Sequence, residues 1–218
     1  MAGGAALARA IERLDPDAGW PTIRPSVLPL LPRHTPPAIR AGAPIQAILG
    51  PGILVGFGID LGPAFAGITR DMVERWGIDD AEVVAAAVAN VRALAGELPP
   101  AVVKDVPLPG TDTVRVLQTG GGWASALLVV PEMLPRFVGT GPHHVGAPCR
   151  DVLLAFSATT PAEVVLDLVE GIAALDPVGL VPRCFHHSSG SVEPLLVMPG
   201  DRLPAVDTLE RDRPRYVS

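Results

Sequence analysis

The clearest hydrophobic pattern in this chain is an uninterrupted apolar run, Val152–Phe156. Such a run is typical of a strand covered on both faces, whereas a half-exposed strand alternates apolar and polar residues. Pro148 precedes the run, fixes its own backbone and favours an extended conformation for Ala147, so it predicts a rigid bend. The charged residues Arg150 and Asp151 stand between this bend and the predicted strand.

Helical signals follow directly after this strand. Thr160 predicts the N-cap, Pro161 suits the first helical position, and Glu163 stands where it can hydrogen-bond back to the cap. A strand followed by a helix is therefore the best-defined unit of the sequence. The apolar positions that recur at helical spacing are Val164, Val165, Leu168, Val169 and Ile172.

Further strands and helices are predicted on both sides of this unit. The predicted strands are Ile45–Leu49, Ile53–Ile59, Ala64–Ile68, Val102–Val106, Val114–Thr119 and Val192–Met198, and Ala124–Val130 fits either a strand or the start of a helix. The predicted helices are Met1–Leu14, Arg70–Trp76, Pro131–Val138 and a longer one capped by Asp79, with Val84, Val88, Val91 and Ala95 on one side. This order indicates an α+β fold with a mixed, largely antiparallel sheet and three or four helices.

Residues 15–44 carry eight prolines, too many for a regular helix or a central strand. Apolar side chains such as Trp20 and Leu28 predict an ordered arm that packs on the domain, because a flexible linker would be more polar. The sequence thus divides into an N-terminal helix and Pro-rich arm (1–44), an α+β domain (45–200) and a C-terminal tail (201–218).

Composition and charge exclude several classes of function. The net charge is -6 and the basic residues form no cluster, which disfavours nucleic-acid binding. The longest weakly polar run, Ala47–Ile59, is too short to span a bilayer. Residues 1–14 lack the pattern of a secretory signal, and two cysteines suit a reducing compartment. We therefore expect a soluble, cytoplasmic protein that contacts neither nucleic acid nor membrane.

Several short motifs resemble those of the YtpQ-like family of bacterial proteins. They are Trp76-Gly77-Ile78 at the end of a short helix, Asn90-Val91 near the end of the next, and Pro148-Cys149-Arg150-Asp151 before an apolar strand. The resemblance covers residues 50–175, with Cys149 and Val91 where the family has Ser and Leu. It implies a compact cytoplasmic α+β domain and carries no established activity.

The Arg150-Asp151 pair is the first candidate binding site. Arg150 can offer a planar fork to a carboxylate or phosphate, with Asp151 holding it in place. In the alternative interpretation, Asp151 accepts main-chain hydrogen bonds in the turn and Arg150 pairs with a carboxylate elsewhere. Trp123, if exposed beside Arg150, joins this ligand- or partner-binding set. Cys149 completes the set and is either a nucleophile or a small buried residue.

The residues that suit a metal ion are histidines and cysteines. Cys184 and His186 share one side of an extended segment, and His187 lies on the other side. This spacing matches no established ligand motif, and the neighbouring pair His143-His144 is typical of a loop. We therefore predict no cofactor or metal, with Cys184, His186 and His187 as the alternative ligand set.

These observations favour a non-enzymatic, partner-binding or accessory protein, because the sequence contains no catalytic signature. The alternative is a metal-binding or cysteine-dependent enzyme that uses Cys149, Cys184, His186 and His187. The sequence leaves open whether the chain is an enzyme.

Overall fold

A computed structural model describes residues 18–32, 44–49, 53–62, 64–99, 102–108, 113–176, 179–181 and 183–195. Within these ranges the chain forms helices and two sheets in which every strand pairing is antiparallel. The predicted α+β class is confirmed. The predicted helix Met1–Leu14 and the tail 201–218 lie outside the described residues.

The elements are numbered along the described part of the chain. The strands are β1 (Val27–Leu30), β2 (Gln46–Leu49), β3 (Ile53–Asp60), β4 (Phe65–Gly67), β5 (Val103–Val106), β6 (Val114–Gln118), β7 (His143–Cys149), β8 (Val152–Ser157), β9 (Cys184–Ser188) and β10 (Ser191–Pro194). The helices are α1 (Trp20–Ile23), α2 (Arg70–Trp76), α3 (Asp80–Glu97), α4 (Pro135–Val138) and α5 (Ala162–Leu175). Short 3-10 turns cover Arg24–Ser26, Ala124–Val129 and Pro131–Met133. No helix among these is long and apolar enough to cross a bilayer.

The first sheet is built around β3. Strand β1 pairs along one side of β3, and β2 and β4 pair along the other. Part of the Pro-rich segment is therefore a strand of this sheet, and Val27 and Leu28 are buried in the core. Pro29 is tolerated because β1 lies at the edge, where a missing N–H leaves no partner unsatisfied. The predicted strands Ile53–Ile59 and Ala64–Ile68 correspond to β3 and β4, which pair antiparallel as a hairpin.

The second sheet has the strand order β10-β9-β7-β8-β6-β5. Strand β8 is buried on both faces, as its apolar run predicts. Leu154 and Phe156 pack beneath α5, while Leu153 and Ala155 belong to the main core between this sheet, the first sheet and α3. The 3-10 turn Ala124–Val129 also enters this core, and it is neither the strand nor the α-helix that the sequence allowed.

Strands β7 and β9 depart most from the sequence prediction. His143-His144 was predicted to lie in a loop, but it begins β7, which pairs with β8 on one side and β9 on the other. Pro148 lies inside β7, where the register shifts between Gly146 and Cys149. The missing N–H of Pro148 is accommodated in this bulge, so the bend predicted at Pro148 lies inside β7 and does not lead directly into β8. The chain reverses two residues later, at Arg150 and Asp151.

The C-terminal glycine of α2 and the N-cap of α3 are as predicted. Gly77 ends α2 in the left-handed conformation, with φ 66°, and Asp79 accepts a hydrogen bond from the Glu82 N–H at 2.8 Å. The buried face of α3 contains Val91 and Ala95 as predicted, but Val83 and Ala87 are buried in place of Val84 and Val88.

Helix α5 also differs from its prediction by one residue. It begins at Ala162, and the Pro161 carbonyl accepts from the N–H groups of Val164 and Val165, so Thr160 is not its N-cap. The residues of α5 that are fully buried against the sheet are Val165, Val169 and Ala173. Val165 and Val169 belong to the predicted apolar face, and the other predicted positions, Val164, Leu168 and Ile172, flank this stripe.

Gly146 sets the distance between α5 and the second sheet. A Cβ at this position would lie 2.5 Å from a methyl group of Val169. We expect Gly146→Ala to destabilise the protein by about 1–3 kcal/mol through overpacking. Urea unfolding measures this change.

The matched control is Gly171→Ala, on the exposed side of the same helix, where a Cβ has nothing within 4 Å. Alanine should stabilise α5 by up to about 1 kcal/mol at this position. Equal effects of the two substitutions would contradict the close packing at Gly146.

Candidate functional site

Arg150 and Asp151 form the two-residue turn between β7 and β8. The Asp151 carboxylate accepts hydrogen bonds from the Thr119 hydroxyl, from the Gly120 N–H at 3.0 Å and from the Gly122 N–H at 2.9 Å. Gly120 and Gly122 have φ values of 70° and 72°, which glycine adopts without strain. The carboxylate therefore holds a neighbouring loop, as in the structural interpretation of this motif.

Arg150 connects the second sheet to the first. Its guanidinium lies over the Phe65 ring of β4, 4.7 Å from the ring centroid, in a cation–π contact. Its main-chain carbonyl accepts from the Ser125 N–H at 2.9 Å. Both contacts are intramolecular, so they position the turn against the core.

Trp123 and Cys149 lie near the same turn but are buried. Trp123 is 7% exposed and belongs to the main core, so it does not form an exposed aromatic surface beside Arg150. Burial raises the pKa of the Cys149 thiol, and the nearby Asp176 carboxylate raises it further. An activated cysteine nucleophile requires a thiol pKa that is lowered.

The histidines lie at the opposite end of β7. Six residue steps separate His143 from Cys149, which corresponds to about 20 Å along a strand. The cross-strand pairs are His143 with His187 and His144 with His186. Because side chains alternate across a sheet, the first pair faces the main core and the second faces α5.

The alternation also divides the alternative set of metal ligands. Cys184 and His186 lie on the α5 face, whereas His187 lies on the opposite face, so these three side chains cannot hold one ion. Burial, with Glu170 nearby, raises the pKa of Cys184 to about 12. In the described ranges, no three His, Cys, Asp or Glu side chains converge in a way that would hold a metal.

His187 is completely buried against the main core. Neither ring nitrogen has a hydrogen-bond partner among the described residues. Burial lowers the pKa of His187, and the neighbouring His143 lowers it further. Burial therefore favours the neutral form of this ring, which packs within the core.

A polar cavity of about 460 Å³ opens beside His143 at the end of the sheet. Its walls come from β5, β6, β7, β8 and the loop before β7. The lining residues are Asp105, Thr113, Arg115, Gly141, Pro142, His143, Ala155, Phe156 and Ser157. Arg150, Asp151, Trp123 and Cys149 do not line this cavity, and they do not line a second one of about 220 Å³ beside Asn90.

Arg115 is the central cation of the larger cavity. Its Nε lies 3.3 Å from Asp105 Oδ1, and its Nη1 donates to the Val138 carbonyl. Both charged side chains keep a large exposed fraction, 42% for Arg115 and 59% for Asp105. The ion pair is therefore weak and open to competition by another anion.

His143 is oriented by the loop that precedes it. Its Nδ1 lies 2.7 Å from the Gly141 carbonyl, so Nδ1 carries a proton and donates it to that oxygen. The other nitrogen, Nε2, can then accept one further hydrogen bond when the ring is neutral. The cavity thus combines a guanidinium donor, an imidazole and a carboxylate.

Sequence reasoning did not identify Asp105, Arg115 or Ser157. The available signal was the pair of opposite charges placed symmetrically about the predicted turn between β5 and β6. Asp105 and Arg115 are directly paired in the register of this hairpin. Ser157 could not be predicted as part of the cavity, because His143, the residue paired with it across β7 and β8, was predicted to lie in a loop.

The chain was compared with known protein families, curated proteins and solved structures. No protein-family model, curated protein or solved structure matches the chain. The resemblance to the YtpQ-like family stays a prediction that rests on its motifs alone.

The hydrogen bonds of Asp151 allow a direct test of its structural role. Asp151→Ala removes the acceptor of three donors, and we expect a loss of about 2 kcal/mol in the free energy of unfolding. Urea denaturation checks this value. Asp80→Ala, which breaks an exposed ion pair with Arg70, should cost no more than about 1 kcal/mol. A loss for Asp151→Ala as small as that of the control would contradict the role of the carboxylate in holding the loop.

Thiol reactivity tests the two cysteines. Both have a raised pKa, so near neutral pH we expect the folded protein to react with a disulfide reagent more than tenfold slower than free cysteine. In denaturant both thiols should react at the rate of free cysteine. A folded-state reaction faster than that rate, lost in Cys149→Ser, would establish an activated Cys149.

Proposed function

We propose that this protein is a non-enzymatic accessory factor that recognises a partner through a carboxylate group bound in the cavity of Asp105, Arg115 and His143. The observation that carries this proposal is the exposed Arg115 guanidinium at a cavity of about 460 Å³. That volume lies within the range of ligand-binding pockets, which is roughly 300–1,000 Å³.

A carboxylate suits the charges of this cavity better than a phosphate. Arginine binds a carboxylate through parallel hydrogen bonds in one plane. A phosphate would bring a second negative charge close to Asp105. Asp105 already occupies one edge of the guanidinium at 3.3 Å, so an incoming carboxylate exchanges with it or shares the donors that remain.

Binding is favoured over nucleophilic catalysis by the hydrogen bonds of Ser157. Its hydroxyl lies 2.7 Å from the Thr159 hydroxyl and accepts from the Thr159 N–H at 3.2 Å. These contacts hold the hydroxyl within its own turn. The alternative enzyme based on Cys149 and Cys184 receives less support, since burial raises the pKa of both thiols.

A macromolecular partner is favoured over a small acid by the strand next to the cavity. Strand β5 is an edge of the second sheet, and the residues on either side of Asp105 are exposed. Lys104 and Val106, which is 40% exposed, lie on the face of this edge strand opposite Asp105, where they offer a cation and an apolar contact. A partner that places an acidic side chain in the cavity would also contact this edge.

The recognition test compares a short glutamate-rich peptide with its glutamine counterpart and with succinate, in nuclear magnetic resonance titrations. The acidic peptide should shift the amide signals of Thr113, Arg115 and His143, and the glutamine peptide should not. Equal binding of both peptides would refute recognition of a carboxylate. Binding of succinate alone would refute the macromolecular partner.

The charge test uses two substitutions with opposite expected effects. Arg115→Gln should weaken peptide binding roughly fivefold, or about 1 kcal/mol, a value limited by the exposure of this side chain. Asp105→Asn should strengthen binding, since it removes a competing carboxylate. Arg70→Gln, a loss of an exposed arginine on α2, is the control and should leave affinity unchanged. Weaker binding in Asp105→Asn would contradict the competition that we describe.

A further inference from the structure

His144 and His186 bring two ring nitrogens together on the α5 face of the second sheet. They are directly paired across β7 and β9. Their Nδ1 atoms lie 3.5 Å apart, and the rings meet edge to face with centroids 5.4 Å apart. This pair lies on the opposite face of the sheet from His143 and His187, so it is separate from the carboxylate-binding cavity.

The separation of the nitrogens is close to that of two ligands on one metal ion. Zinc binds imidazole nitrogens at about 2.0–2.1 Å, and tetrahedral geometry then places two of them about 3.3–3.4 Å apart. A separation of 3.5 Å is long for an N–H···N hydrogen bond. A small movement of either ring would therefore allow both nitrogens to bind the same ion.

A carboxylate stands next to this pair on the third strand. Glu193 of β10 is directly paired with His186, and paired residues point to the same face. His144, His186 and Glu193 thus form one row across β7, β9 and β10. Glu193 is exposed, so its carboxylate can rotate toward the two rings at little cost. In the structure these three side chains do not converge on one point. The Glu193 side chain must therefore rotate before all three can bind one ion.

The exposure of the row provides access for an ion. His144 is 8% exposed, whereas His186 is half-buried and Glu193 is exposed. An ion can therefore reach the row from solvent on the β10 side and keep water in its remaining positions. Two imidazoles and one carboxylate are a ligand set that zinc and related divalent ions accept.

We propose that His144, His186 and Glu193 form a binding site for one divalent transition-metal ion. Each side chain contributes one ligand atom, and water completes the coordination. The site differs from the set Cys184, His186 and His187, which the alternation of the sheet divides between two faces. It also goes beyond the proposed recognition of a carboxylate, which needs no metal.

The experiment uses the full chain without an affinity tag, stripped with a chelator. Zn²⁺ is titrated by calorimetry, and Co²⁺ serves as the spectroscopic probe of coordination. We expect one ion per chain and a visible Co²⁺ absorption spectrum that is typical of an ion with a low coordination number. His186→Asn should abolish the spectrum and weaken Zn²⁺ binding at least tenfold, and Glu193→Gln should weaken it roughly tenfold.

The matched control is His143→Asn, which changes the preceding residue on the opposite face and should leave Zn²⁺ affinity unchanged. His144→Phe tests the buried ligand. If that variant does not fold, the half-buried His186 still decides the outcome. Absence of Zn²⁺ binding, or binding unaffected by His186→Asn, would overturn the site. Full affinity in Glu193→Gln would exclude the carboxylate and overturn the three-residue form.

Discussion

The pairing of β7 with strands on both sides is the constraint on which the rest of this structure depends. Strand β8 fixes one side of β7 and β9 fixes the other. These two registers place Arg150 and Asp151 at one end of the sheet and His143, His144, His186 and His187 at the other. They also decide which histidine faces the core, because a shift by one residue would exchange the two faces.

The contacts of Asp151 with a neighbouring loop stabilise one end of the second sheet. Its carboxylate binds the main chain that follows β6, and the Arg150 guanidinium covers Phe65 of the first sheet. The turn thus connects β7 and β8 both to β6 and to the neighbouring sheet. A charged pair that resembles a ligand-binding motif in sequence acts here as a structural connection within the protein.

The sequence predicts well those features that depend on local chemistry. The apolar run of β8, the glycine at the end of α2 and the Asp79 cap of α3 each follow from a few adjacent residues. Strand β7 could not be predicted in this way. Its histidines, glycine and proline are typical of a loop, and it forms a strand because β8 and β9 satisfy its main chain.

The candidate sites were harder to predict than the fold, for the same physical reason. Asp105 and Arg115 meet through the register of one hairpin, and His144, His186 and Glu193 are aligned through two further registers. Register depends on turn geometry and on which face of the strand is buried. Neither can be read from the few residues that form the site. In the alternative set of metal ligands, Cys184 and His186 share a face, and His187 is separated from them because it is adjacent to His186 in the strand.

Lys104 is the only lysine in the sequence, and it is exposed on the edge strand β5. Among side chains, an amine-coupling reagent therefore has one target, which lies on the opposite face of β5 from Asp105 and the cavity. Protein attached to a solid support through this group would have its β5 edge turned toward the support. Lys104 is paired with Val116 on the α5 face of the sheet, so such a preparation would cover the edge strand and the part of the α5 face next to it.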